Sequence, residues 1–145
     1  AKNLNLNFID SDQEIEKKCK ISIPLIFEKK GEDYFRKIEE KICCKLIDGK
    51  PKILSLGGGA FINSKIRKEI KKNGVSFWIS TNLENIYDRL LQSKNKRPML
   101  DYNNLKKSIK DIYDSRKEIY KKADYTIRTK SDNKKSIVKK IIENL

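Results

Sequence analysis

The sequence predicts an α/β protein with a parallel sheet covered by helices on both faces. Short apolar runs alternate with segments of helical periodicity along the whole chain. One run, residues 52–56, passes straight into Gly57, Gly58 and Gly59, the strand-to-turn geometry found at the carboxyl edge of open parallel sheets. Side chains that cap helices follow the other runs.

Residues 6–9 read as a strand ending at Asp10, and Ser11 with Glu14 as a capping box for a helix over about 12–18. Ser22 and Pro24 open a short helix that ends near Gly31. Phe35, Ile38, Ile42 and Leu46 recur at helical spacing, giving a helix over 33–47 closed by Gly49 and Pro51. After the glycines, Asn63 caps a helix to about Asn73, with Gly74 as its stop. Val75 to Ile79 reads as a buried strand. Thr81 and Glu84 form a second capping box for a helix over 82–92. Residues 93–104 have no periodicity and read as a mobile loop. A helix over 105–122, a strand over 125–129 and a helix over about 134–144 complete the chain.

At 145 residues the chain is expected to form one domain. Apolar and charged residues each make up 37%, and the regular recurrence of the apolar ones argues against disorder. No signal peptide, membrane-spanning run, repeat or flexible linker is visible, so a cytoplasmic protein without a membrane partner is expected. Histidine is absent, which excludes His-based acid–base chemistry and His-containing zinc sites. Cys19, Cys43 and Cys44 lack metal-ligand spacing and read as reduced thiols. The formal charge of +14 is spread along the chain without interleaved aromatic residues, so no nucleic-acid partner is expected. Among 34 basic residues the arginines are 36, 67, 89, 97, 116 and 128. Their planar fork suits carboxylate and phosphate in a way that lysine does not.

Three bare glycines let a polar ligand approach backbone. Asp10 and Asp12 flank Ser11 at the same expected sheet edge, where two carboxylates can hold magnesium through water or accept a hydroxyl proton. They equally suit the start of a helix. Arg36 stands one turn before Glu39 and Glu40, which can steady its fork or simply pair with it at the surface. Arg97-Pro98-Met99-Leu100 lies in the aperiodic loop, where an arginine could close over phosphate. Arg116 and Tyr120 are one turn apart on the long helix.

Together, Phe8-Ile9-Asp10-Ser11-Asp12, Ile26-Phe27-Glu28, Gly31-Glu32, Phe35 to Glu40, Leu54 to Gly59, Arg97 to Leu100 and Arg116 to Tyr120 resemble shikimate kinases in order and approximate spacing over residues 1–145. The resemblance implies a three-layer α/β/α P-loop kinase fold. It also implies transfer of the ATP γ-phosphoryl group to the 3-hydroxyl of shikimate, with Mg²⁺, in aromatic amino-acid biosynthesis, by an expected monomer. Carried over, Asp12 would orient the substrate hydroxyl, and Asp10 and Ser55 would hold magnesium through its water shell. Arg36 and Arg116 would grip the shikimate carboxylate, Gly58 and Gly59 would offer backbone, and Phe27 and Phe35 would wall the pocket. Arg97 would reach the phosphates from a lid at 93–104, and Arg89 would lie against adenine. Met99 stands where the family commonly has Leu, a volume-conserving change.

The family's phosphate loop, G-x-x-x-x-G-K-[ST], is absent from these residues. The resemblance therefore implies a domain lacking about 20–25 amino-terminal residues, a strand, loop and most of a helix. In the family that strand lies mid-sheet, and its loss would leave neighbours about 10 Å apart. Inactivity of the chain by itself is expected. The alternatives are another small-metabolite P-loop kinase, or a non-catalytic protein that binds the acceptor alone.

Overall fold

The computed structural model describes residues 1–93, 97–129 and 134–145. Contacts divide the chain into two compact units, Ala1–Gly74 and Val75–Leu145.

In the first unit, strand β1 (Asn7–Asp10) leads directly into helix α1 (Ser11–Cys19), followed by α2 (Ile23–Leu46), β2 (Lys52–Ser55), a 3₁₀ turn (Ala60–Ile62) and α3 (Ser64–Asn73). β1 and β2 pair in parallel, with Asn7 opposite Lys52 and Asp10 opposite Ser55. The expected capping box at the start of α1 does not form. Asp10 is the N-cap instead, its carboxylate accepting from the backbone N–H of Asp12 at 2.9 Å and of Gln13 at 3.2 Å. A carboxylate one residue earlier satisfies the same orphan donors and adds a favourable charge at the helix start.

The two helices expected on either side of Gly31 meet there at a kink, as expected, and are taken together as α2. Gly31 has φ 79 and ψ 171, a conformation open essentially to glycine alone. Ser22 occupies the N-cap position of α2 but makes no side-chain capping bond. Glu16, reaching from α1, accepts the Ile23 N–H at 2.8 Å and so ties the two helices together. Their shared core is Ile15, Ile26 and Phe35, with Cys19, Ile21, Ile38 and Ile42 packed against it. A second core joins Cys43 of α2 to Ala60, Ile66 and Ile70. Asn63 caps α3 as expected, accepting from Lys65 and Ile66, and Gly74 ends it.

The second unit contains β3 (Phe77–Ser80), α4 (Leu83–Gln92), α5 (Leu105–Tyr120), β4 (Tyr125–Arg128) and α6 (Lys134–Ile142). β3 and β4 pair in parallel, and the rings of Phe77 and Tyr125 stack at 5.1 Å. Asp124 accepts from the Ser76 N–H at 2.8 Å and hydroxyl at 2.6 Å, which fixes the entry to both strands. The strand is not buried as the sequence predicts: Val75 is 54% and Ile79 41% exposed. A two-stranded ribbon covers only part of its strands. The capping box at Thr81 gives way to Asn82, which accepts from the Asn85 N–H. Each of the four strands pairs on one side only, among the described residues.

A Cβ on Gly31 would meet nothing within 4 Å, so substitution there tests backbone conformation without steric interference. Gly31→Ala should destabilise the protein by about 1–3 kcal/mol. Urea denaturation measures it, and an unchanged midpoint would show that the kink relaxes at no cost.

Candidate active site

The carboxyl ends of β1 and β2 lie side by side, and parallel pairing places Asp10 directly opposite Ser55. Beyond β2 the chain turns through the three glycines, and backbone bonds from Ala60 N to Gly57 O and from Ile62 N to Gly59 O, both 3.0 Å, fold the turn into the 3₁₀ helix. Arg67 of α3 donates through Nη1 to the carbonyls of Phe61 at 2.8 Å and Ile62 at 2.6 Å. A cation at the carbonyl end of a helical turn is electrostatically favourable, and Arg67 thereby supports the glycine turn from behind. Glu40 of α2 accepts from Asn63 Nδ2 at 2.7 Å and Lys65 Nζ at 2.9 Å, holding the start of α3. Sequence reasoning assigned neither role, because both partners are distant in the chain or are backbone groups.

Two charged side chains close on the turn from different elements. A Cβ on Gly57 would fall 2.4 Å from Asp12 Oδ1, and one on Gly59 would fall 2.1 Å from Arg36 Nη1. Both distances are far inside van der Waals contact, so both positions need glycine for the close approach. Gly58, between them, is exposed.

Arg36 is held by two carboxylates of its own helix. Nη1 donates to Glu39 at 2.7 Å and Nε to Glu32 at 3.1 Å. Glu39 is 2% exposed, and a carboxylate that deep requires a paired cation. Partial burial works against the charge on Arg36, but the Glu39 hydrogen bond and charge, followed by those of Glu32, outweigh it and raise its pKa above the ordinary value. The guanidinium therefore stays charged and fixed in direction, 5.1 Å from the centre of the Phe35 ring. Phe35 in turn packs on Phe27 with ring centres 4.7 Å apart.

Of the residues predicted from sequence, the structure brings Asp12, Gly57, Gly59 and Arg36 together, with Phe27 against Phe35 and Asp10 against Ser55. Arg89, Arg97 and Arg116 belong to the second unit. Arg97 opens an exposed turn, its N–H donating to the Tyr102 hydroxyl at 2.8 Å. Residues 94–96 of the expected lid lie outside the described residues. Arg116 is half-buried on α5, one turn from Tyr120, whose ring meets Trp78 at 5.8 Å. Arg89 is exposed in the last turn of α4.

The sequence profile of shikimate kinase matches residues 1–145. The chain belongs to the shikimate kinase family. A shikimate kinase of Rhizobium leguminosarum bv. trifolii is 36% identical over 143 residues, covering 99% of this chain and 72% of the relative. One from Persephonella marina is 37% identical over 142 residues, covering 98% of this chain and 85% of the relative. Among solved structures, a shikimate kinase from Acinetobacter baumannii in complex with shikimate superposes with a TM-score of 0.93 at 34% identity, covering 99% of this chain and 80% of that one. The Aquifex aeolicus shikimate kinase superposes with a TM-score of 0.79 at 32% identity. The fold is that of the α/β P-loop kinases, as the sequence predicted, and the family is one of ATP-dependent kinases.

Among the described residues no helix is long and apolar enough to cross a membrane, and no group of three or more acidic or thiol side chains could hold a metal. Asp10 and Ser55 are hard oxygen donors side by side, and one oxygen of Asp10 already caps α1. Such a pair fits Mg²⁺, which keeps most of its waters and needs few protein ligands, better than an ion that demands a full protein cage.

The unequal burial of the two carboxylates on Arg36 is testable. Glu39→Ala should destabilise the protein by about 1–3 kcal/mol by leaving a half-buried guanidinium short of its partner. Glu32→Ala should cost less than about 1 kcal/mol, as exposed pairs do. Chemical denaturation of the two variants checks the ranking, and equal losses would contradict it.

Proposed function

We propose that this protein phosphorylates shikimate, transferring the γ-phosphoryl group of ATP to the 3-hydroxyl of the acceptor. The observation that carries this reading is the approach of a carboxylate and a guanidinium to two glycines of one turn. Two residues of chain span at most about 7 Å, which suits a six-membered ring bearing a hydroxyl near one end and an acid at the other. The shikimate bound in the Acinetobacter baumannii relative supports the same acceptor.

In this reading Asp12 orients the attacking hydroxyl and takes its proton as the oxygen–phosphorus bond forms, with ADP as the leaving group. Arg36, fixed by Glu39, binds the acid bidentately, with Arg116 as its second cation. Gly58 and Gly59 offer backbone to the ring hydroxyls, and the Phe27–Phe35 pair walls the pocket. Arg97 contacts the phosphates, and Arg89 lies against adenine. Asp10 and Ser55 would hold Mg²⁺ through water. The ion would neutralise charge on the transferring phosphates. The active enzyme is read as a cytoplasmic monomer with one catalytic domain.

These 145 residues contain no Walker-type phosphate loop. Since phosphoryl transfer relies on positioning and charge stabilisation, we read the chain as supplying the acceptor half of the site and as inactive without such a loop. ADP release coupled to a dye assay, with shikimate, ATP and Mg²⁺, tests this on the 145-residue chain and on a protein that also carries the strand and phosphate loop. Equal turnover by the two would refute the division of labour. In the loop-bearing protein, Asp12→Asn should lower turnover by about two orders of magnitude or more, with a smaller change in shikimate affinity. Retention of wild-type turnover would remove Asp12 from the mechanism.

Cys43 gives a pH prediction at the back of the same site. Burial pushes its thiol from an ordinary 9.0 up to about 12, with the Glu39 charge adding to the rise and a Ser11 hydrogen bond opposing it. The unfolded thiol ionises first, so stability due to the neutral thiol is present below pH 9.0 and is lost as pH rises toward about 12. Cys43→Ala should flatten the alkaline fall in stability between those values. An unaltered slope in denaturation midpoints against pH would assign that fall to other groups.

A further inference from the structure

Ser11 is fully buried, yet it does not cap the helix it begins. Asp10 performs that task, and the Ser11 side chain serves elsewhere. Its Oγ accepts the N–H of Gly57 at 3.0 Å, across 46 residues of sequence. This bond joins the start of α1, where Asp10 and Asp12 stand, to the turn that holds Gly57 and Gly59, at one buried point.

We propose that Ser11 is a positioning residue of the acceptor site, fixing the glycine turn against Asp12 through Gly57. The inference rests on the reading of this turn as the acceptor site. Ser11 touches no reacting atom. It acts through the separation between Gly57 and Asp12, already so tight that a Cβ at Gly57 would meet Asp12 Oδ1 at 2.4 Å. Small displacements of that turn move backbone donors relative to the carboxylate, and losses of positional order on the scale of an ångström are costly to turnover. Alanine would leave the Gly57 N–H without its acceptor, whereas threonine keeps the hydroxyl.

The test compares Ser11→Ala and Ser11→Thr in the loop-bearing protein, reading amide hydrogen exchange at Gly57 by NMR without ligand, then kcat and KM for both substrates. Ser11→Ala should speed Gly57 exchange and lower kcat by about tenfold or more, leaving KM for ATP unchanged, because only the acceptor side is loosened. Ser11→Thr should return both quantities to near the parent values. Unchanged Gly57 exchange in the alanine variant would overturn the inference, as would faster exchange without loss of kcat, or failure of threonine to rescue. Should alanine prevent folding, Ser11→Cys keeps the volume and weakens the acceptor, and the same outcomes apply. If the parent protein fails to phosphorylate shikimate, the functional reading falls, while Gly57 exchange still decides whether Ser11 holds the turn.

Discussion

Everything in the first unit is arranged around a place where side chains are missing. Asp12 and Arg36 carry opposite charges and come from different helices, and each presses on a glycine at a distance no Cβ would allow. This constraint explains why the surrounding polar contacts are so numerous. A turn of three glycines has high conformational entropy and no packing of its own. Its shape must be imposed from outside. Ser11 holds it in front, the 3₁₀ hydrogen bonds continue it, and Arg67 grips the carbonyls behind.

The charged groups are treated unequally. Glu39 is buried against its half-buried arginine, and the ordering of two partners on one helix, three residues apart, costs little extra entropy. The many lysine pairs elsewhere, such as Lys110 and Lys117 with Asp114, are surface contacts of small worth. The high positive charge of the chain therefore says little about its chemistry, whereas one arginine with a buried carboxylate says a great deal.

Much of this was legible in the sequence because it is local. The glycine run, the Arg36 to Glu39 spacing, the Asn63 cap and the break at Gly31 are all encoded within a few residues. Ser11 was misread for the same reason. Its spacing to Glu14 satisfies the capping-box pattern, but Asp10 competes for the same N–H groups and wins with a charged acceptor. What Ser11 does instead depends on Gly57, and no pattern in the intervening sequence announces that pairing. Val75 and Ile79 show the complementary failure, since apolar residues in a strand pattern predict burial only if something lies over them. Arg67 was visible as a rare arginine, yet its partners are carbonyls, which have no sequence signature.

The kink at Gly31 sets the contact between Phe27 and Phe35 as well as the course of a helix. Phe27 and Phe35 are eight residues apart, and an unbroken α-helix would carry the second about 12 Å along the axis and about 80° around it from the first. Side chains displaced in that way diverge, whereas these ring centres lie 4.7 Å apart. The contact therefore depends on the break between them. One glycine bends the helical stretch enough to make two distant rings neighbours, and a straight α2 would lose this aromatic contact without any change to either phenylalanine.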